Sequence, residues 1–488
     1  MKRFLPILLL ALALAAEPAR AHVGSPNVFF DGDAGPYPVR VIVRPPAVIP
    51  GLAEITVRLR GGRKVEGVSV QPVQYKAGFK GAPPPDEAVP VPGTPDTWSA
   101  QLWLMRPSSY SVRVEVKGPA GSGTALVPVT AVRRQVLGMD RGLGTILILL
   151  GLFLFAGAAS IAGTAVRESV LAPGEAVDGR RRARGHAAVA LTILLLALAL
   201  WGGKRWWDGV DGRARQDLFR PFRTRTAVRL EGGRPTLALR IDDQDRADGS
   251  TLLPDHGKLM HLFLIREPGL DAFAHLHPVV RGEDDFVAAL PALPAGTYRV
   301  YADVVLESGF PQTLVDEVRI PAGTGGPPQD PDDSWRAAPP VGRAAEAASP
   351  LEDGGAMLWK REPLVAGREA ELRFEVKGPD GRPAPLEPYM EMMSHAVIAK
   401  DDGQVFVHLH PMGTVSMAAQ QAFAKLEAEE EGKAAPAMAM AAMPGMAAGG
   451  AVSFPYEFPK PGRYRLWVQV KTGGKVQTGV FDAEVAKQ

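Results

Sequence analysis

Phe286-Val-Ala-Ala-Leu-Pro-Ala-Leu-Pro-Ala-Gly-Thr-Tyr298-Arg-Val-Tyr301 is the stretch that decides the fold. An alternating strand runs into a Pro/Gly turn, and a tyrosine then opens a second alternating strand. The same pattern occurs from Trp98 through Tyr110 and from Val452 through Tyr464. Alternation sends successive side chains to opposite faces, so each strand reads as part of a half-buried sheet. A tyrosine at such a corner is where immunoglobulin-like sandwiches tie the turn to the backbone through the hydroxyl. Each copy also opens with a strand after a Pro or Gly turn: Glu54 to Leu59, Thr236 to Ile241 and Glu369 to Val376. The 53 glycines and 45 prolines favour many short strands over long helices. The fold class expected is mainly β, with three immunoglobulin-like β-sandwich domains and a two-helix transmembrane hairpin between the first and second.

The 488 residues divide accordingly. Residues 1–21 read as a signal peptide, with Lys2 and Arg3 ahead of an apolar run and Ala19-Arg20-Ala21 as the cleavage site. Residues 22–132 form the first sandwich. Residues 142–166 are an uncharged apolar run long enough to span a bilayer, and 187–203 are a shorter one ending at Trp201, near Trp206 and Trp207. Between them, 167–186 is a basic loop with Arg180, Arg181, Arg182 and Arg184, which belongs on the cytoplasmic side. Both soluble regions then face the extracytoplasmic, periplasmic side of the cell inner (plasma) membrane. The second sandwich covers 219–322, a Pro/Gly/Ala-rich linker 323–350, and the third sandwich 351–488, with an insertion at 417–450.

A net charge of +2 and scattered arginines exclude a nucleic-acid surface. With no cysteine, a metal can be held only by His, Met, Asp or Glu. No Ser-His-Asp, nucleophile-elbow or phosphate-loop signature is present, so no enzyme is expected.

Six of the nine histidines fall into two matching sets, His261, His275 and His277, and His395, His408 and His410. Each set is one histidine opening a strand, a turn, and then Phe-x-His-Leu-His-Pro. Residues i and i+2 share a face. In an antiparallel hairpin His261 can pair with His277, and His395 with His410. Directly opposed β-carbons lie ~4.5–5.5 Å apart, near enough for three imidazoles to hold one ion. The alternative is a pair of hydrogen-bonded structural triads copied by duplication. Five residues before each first histidine stand His256 and Met390 as further candidate ligands. His22 would become an N-terminal copper chelate after cleavage. In the insertion, Met438, Met440, Met443 and Met446 offer closely spaced thioethers suited to Cu(I), or form a low-complexity loop. Imidazole and thioether without thiolate favour copper, with zinc as the alternative.

The Pro50-Gly-Leu-Ala-Glu-Ile-Thr-Val57 opening, the Gly-x-Tyr-x-[Val/Leu] strands and the Met/His-rich hairpins resemble the YtkA-like and FixH-like immunoglobulin-type domains of bacterial exported proteins. The mature N-terminal histidine resembles that of CopC-type periplasmic copper proteins, although the rest of that pattern is missing. The resemblance implies copper handling with an envelope or oxidase-assembly partner. The function expected is a membrane-anchored protein that sequesters or delivers copper. The competing expectation is an immunoglobulin-like structural or protein-interaction module that binds no metal.

Overall fold

The computed structural model describes residues 22–23, 27–172, 174–242, 251–281, 285–323, 325–342, 347–434 and 450–488. The chain is mainly β and forms two compact units, one of residues up to Ala131 together with Arg220–Gln488, the other of Val132–Phe219.

In the first unit each repeat copy contributes two sheets. The first copy has a five-stranded sheet built around Tyr37–Arg44 and Gly51–Leu59 and a four-stranded sheet built around Ser108–Gly118. Val39, Val41, Ile55 and Val57 of one sheet share an apolar core with Val68, Val70, Val112 and Val114 of the other. The second copy pairs Thr224–Glu231, Arg234–Ile241, Asp285–Ala289 and Val279–Arg281 in one sheet. Its larger sheet carries His261–Glu267 between Gly296–Leu306 and Ala272–Leu276. The third copy repeats this with Ser394–Lys400 between Gly462–Thr472 and Val405–Leu409. The tyrosine corners form as expected: Tyr298 Oη donates to Pro294 O at 2.7 Å and Tyr464 Oη to Lys460 O at 2.7 Å. In the first copy the hydroxyl of Tyr110 accepts from Arg106 N at 3.3 Å.

The second and third copies lie with their larger sheets face to face. Phe263, Ile265, Phe273 and Tyr301 of one pack with Val397, Phe406 and Trp467 of the other. The contacts are reciprocal. Tyr301 stacks on Phe406 at 3.8 Å, and Trp467, its repeat counterpart, stacks on Phe273, the counterpart of Phe406, at 4.9 Å. Likewise Arg299 donates to Gly403 O at 3.2 Å, while Arg465 donates to Leu270 O at 3.0 Å. The second and third copies are therefore related as a two-fold-like pair with a buried apolar cluster on their shared face.

The first copy closes against the third just beyond His410. Asp31 N donates to Met412 O at 2.8 Å and Thr414 N to Phe29 O at 3.0 Å. Arg40 is buried between Asp31, Glu369 and Glu371, at 2.6, 2.7 and 2.7 Å.

Three expectations are corrected. The stretch expected as a linker contributes the strands Ser334–Ala337 and Ala348–Pro350 to the sheets of the second and third copies. The insertion begins as a helix, Met417–Glu431, capped by Ser416 and ended by Gly432 in the left-handed conformation. Its Phe423 packs edge-on against Tyr75 at 5.5 Å, and its Glu427 pairs with Arg113 at 3.2 Å. Met438, Met440, Met443 and Met446 lie outside the described residues.

The third correction falls in the second unit. The helix after the basic segment starts at Gly179, so the arginines expected in a loop sit in its first turns. Two helices, Arg141–Glu168 and Gly179–Gln216, are long and apolar enough to cross a membrane. They pack through small residues. A Cβ on Gly163 would stand 2.5 Å from Val189 Cγ2, and one on Gly185 3.2 Å from Gly163 O. Close backbone approach of this kind substitutes for a hydrophobic drive in lipid.

Candidate metal centre

Both histidine hairpins have the register expected of them. Leu262 pairs with Leu276 and Phe263 with His275, which sets His261 opposite His277. Ala396 pairs with Leu409 and Val397 with His408, which sets His395 opposite His410. Leu262, Leu264 and Leu276 fill the second copy's own core. The histidines therefore occupy the other face, together with Phe263 and Phe273, in the layer between the two copies.

The two sets do not form separate sites. Seven imidazoles, the six of the hairpins and His256, form one cluster with neighbouring ring centroids 4.6–6.4 Å apart. All but His408 are at most 5% exposed. Within it, ligand atoms of His261, His275 and His277 lie within 4.8 Å of one another, and so do those of His256, His395 and His410. The second group differs from the expected set: His256 of the second copy stands where His408 was expected. His256 reaches there from a tight turn, with φ of 50°, which Met390 repeats at 49° in the third copy. His408 lies between the groups, 5.4 Å from both His261 and His395.

The oxygens beside the rings point to the nitrogens that carry protons. His261 Nε2 lies 3.1 Å from Asp255 O, which can only accept. His275 Nδ1 lies 2.9 Å from Gln469 Oε1, and His277 Nδ1 3.0 Å from Asp333 Oδ1. Each ring thus spends its one N–H on an oxygen, leaving lone pairs on His261 Nδ1, His275 Nε2 and His277 Nε2. His261 Nδ1 and His275 Nε2 lie 3.2 Å apart, within hydrogen-bond distance of each other. His410 Nδ1 lies 3.3 Å from Val415 O, which can only accept, with the same outcome at its Nε2, and His408 Nδ1 stands 3.3 Å from Asp303 Oδ2. Burial keeps the six hairpin imidazoles neutral: it pushes His261 down to about 4 and His410 to about 3, and holds His275, His277, His395 and His408 well below the usual range. Burial also raises the carboxyls of Asp303 and Asp333 to about 7.

Seven buried nitrogens of the cluster have no hydrogen-bond partner: both of His256, both of His395, and Nε2 of His277, His408 and His410. An unmet buried polar group costs ~1–3 kcal/mol. Seven of them would rival the whole stability of a domain, roughly 5–15 kcal/mol. Each of these five rings has one lone pair to give a cation, and oxygen-tethered rings are how metal-binding histidines are oriented. The donor set fits a metal.

Several residues here escaped sequence reading. Asp333 and Asp330 group with His277 as a further potential ligand set. They come from Asp330-Pro-Asp-Asp333, inside the stretch expected as a linker. Tyr389 Oη lies 3.3 Å from His275 Nδ1, crossing from the third copy to the second. Asp255 receives Ala418 N at 2.9 Å, from the first turn of the inserted helix. Of the other expected ligands, Met390 is buried in its turn, and His22 pairs through its backbone with Val405. The side chain of His22 lies outside the described residues.

No curated protein matches the chain. The solved structures it is similar to include a tetra-tandem repeat from the extending region of a large adhesion protein, at 8% identity and TM-score 0.14, covering 90% of this chain and 70% of that one. The FN1–FN3 domains of chicken CNTN1 share 9% identity at TM-score 0.13, covering 91% and 97%. Escherichia coli alpha-2-macroglobulin activated by porcine elastase shares 11% at TM-score 0.19, covering 94% and 31%. At these scores none bears on fold or function. A family described as a domain of unknown function (DUF8832) matches residues 225–316 and 351–487, the two stretches that carry the histidine hairpins.

Proposed function

We propose that the protein is a membrane-anchored, extracytoplasmic metal-binding protein whose immunoglobulin-like second and third domains sequester or deliver copper, with zinc as the alternative ion. The observation that carries this reading is the set of five buried imidazoles with ring nitrogens that have no hydrogen-bond partner. A structural triad would satisfy those atoms; this cluster leaves them for a cation. Nitrogen donors without thiolate or a carboxylate cage suit copper or zinc over calcium or magnesium. The two apolar helices supply the anchor, with the basic segment on the cytoplasmic side. A donor or acceptor protein of the envelope, such as one engaged in oxidase assembly, is the partner this role requires.

The test is elemental analysis of the full chain purified in detergent, before and after loading with Cu(II), Cu(I) or Zn(II). Bound metal that falls by one equivalent in the His275→Ala/His277→Ala double variant supports the reading. Absence of bound metal after every loading, with no thermal shift, returns the protein to the structural or interaction reading.

A further inference from the structure

We infer that the seven histidines make one two-ion centre, and that its second site is completed across the domain boundary by His256. This inference rests on the metal-binding reading above and adds the number of ions, their adjacency and the cross-domain ligand.

Adjacency follows from the ring distances. Within the group of His261, His275 and His277, centroids are 4.6–5.4 Å apart. Within that of His256, His395 and His410 they are 4.8–5.4 Å apart. Between the groups, His256 stands 6.1 Å from His261 and His275 6.4 Å from His395. The spacing between groups barely exceeds that within them. The remaining histidine, His408, fills the space between, 5.7 Å from His275 and 4.6 Å from His410, with its Nε2 unpartnered. Two ions held here are neighbours with about one imidazole between them.

The crossing by His256 follows from the geometry of its turn. Asp255 N and Lys258 N each donate to the other's carbonyl at 2.9 Å, so the turn is closed on itself. Neither nitrogen of His256 has a hydrogen-bond partner, its Nε2 standing 3.9 Å from Asp255 Oδ1, and its ring packs on His395 and His410 of the third domain. The third copy has Met390 at the matching position, so the exchange is one-sided for imidazole. The second copy keeps its own three ligands and lends a fourth histidine to its neighbour.

Copper(II) titration of the full chain in detergent, followed by elemental analysis and quantitative electron paramagnetic resonance, tests both points. The wild type is expected to take two equivalents, with the spin count falling below the copper content as the second ion enters beside the first. His256→Asn removes the imidazole while tolerating the left-handed backbone. It is expected to take one equivalent, with a spin count equal to its copper. Two equivalents with a full, unbroadened spin count overturn the adjacency and leave metal binding standing. Two equivalents in His256→Asn overturn the cross-domain ligand. No copper in the wild type overturns this inference together with the reading beneath it. Circular dichroism of the metal-free variant, expected to match the wild type, separates loss of a ligand from loss of fold.

Discussion

The two histidine hairpins are copies with the same register and the same Phe-x-His-Leu-His-Pro second strand, yet they use their histidines differently. In the second domain all three belong to one ligand group. In the third, two do, the missing ligand comes from the neighbour, and His408 is left between. The difference lies in the partners of the middle histidine. His275 is held by the neutral amide of Gln469, whereas its counterpart His408 approaches the carboxyl of Asp303. Duplication supplied two equal hairpins, and packing them face to face made them unequal.

Acid should act on both hairpins alike, and is the largest effect expected. The six hairpin histidines have folded values below their ordinary 6.5. The unfolded chain therefore binds more protons below that pH, and stability is lost as pH falls. Below about pH 6.5 metal-free protein should lose on the order of 1.4 kcal/mol per histidine per pH unit, less the opposing gain from Asp303 and Asp333, whose raised carboxyls take up protons in the folded state from about pH 7 downward. Thermal unfolding from pH 7.5 to 5 checks this, and a flat profile removes the buried neutral cluster.

Substitution should then divide the copies. His275→Ala removes one equivalent of copper outright, whereas His408→Ala keeps two equivalents and weakens binding by about 10–100-fold, as for a group supporting ligands. Equal losses in the two variants would mean that the hairpins are equivalent after all. The reciprocal arginines sharpen the comparison away from the metal. Arg465 is fully buried against Asp482, so Arg465→Met should cost about 3–5 kcal/mol by taking the counterion from that carboxylate and leaving it only neutral donors such as Gly342 N. Its counterpart Arg299 is 26% exposed beside Glu267, and Arg299→Met should cost no more than about 1 kcal/mol. Chemical denaturation of the two variants side by side reads the difference.

Much of this was legible in sequence because it depends on period and repetition. Two-residue alternation set the hairpin register, and repetition of Tyr110, Tyr298 and Tyr464 located the corners. The docking of the two copies was not read, although a signal was present. Phe263, Ile265 and Phe273 share the histidine face, and large apolar side chains there imply that the face is covered. His256 was noted only as a nearby candidate, because a crossing between domains leaves no spacing to count. Asp333 was missed because it lies in a segment whose composition resembles a linker, and composition does not report strand pairing. The helix Met417–Glu431 was hidden by an alanine-rich, acidic sequence that reads equally as a loop.

The salt-bridged joint at Arg40 also imposes an order of events in time. Its partners Glu369 and Glu371 lie 329 and 331 residues further along the chain, beyond both apolar helices. At about 5–20 residues per second of synthesis, Arg40 waits on the order of tens of seconds for the groups that bury it. Through that interval the first domain has Asp31 as its local counterion, and its joining face stays open. The third domain is therefore the one that seals the first, and a ribosome stalled before Glu369 would leave the joining face of the first domain unclosed.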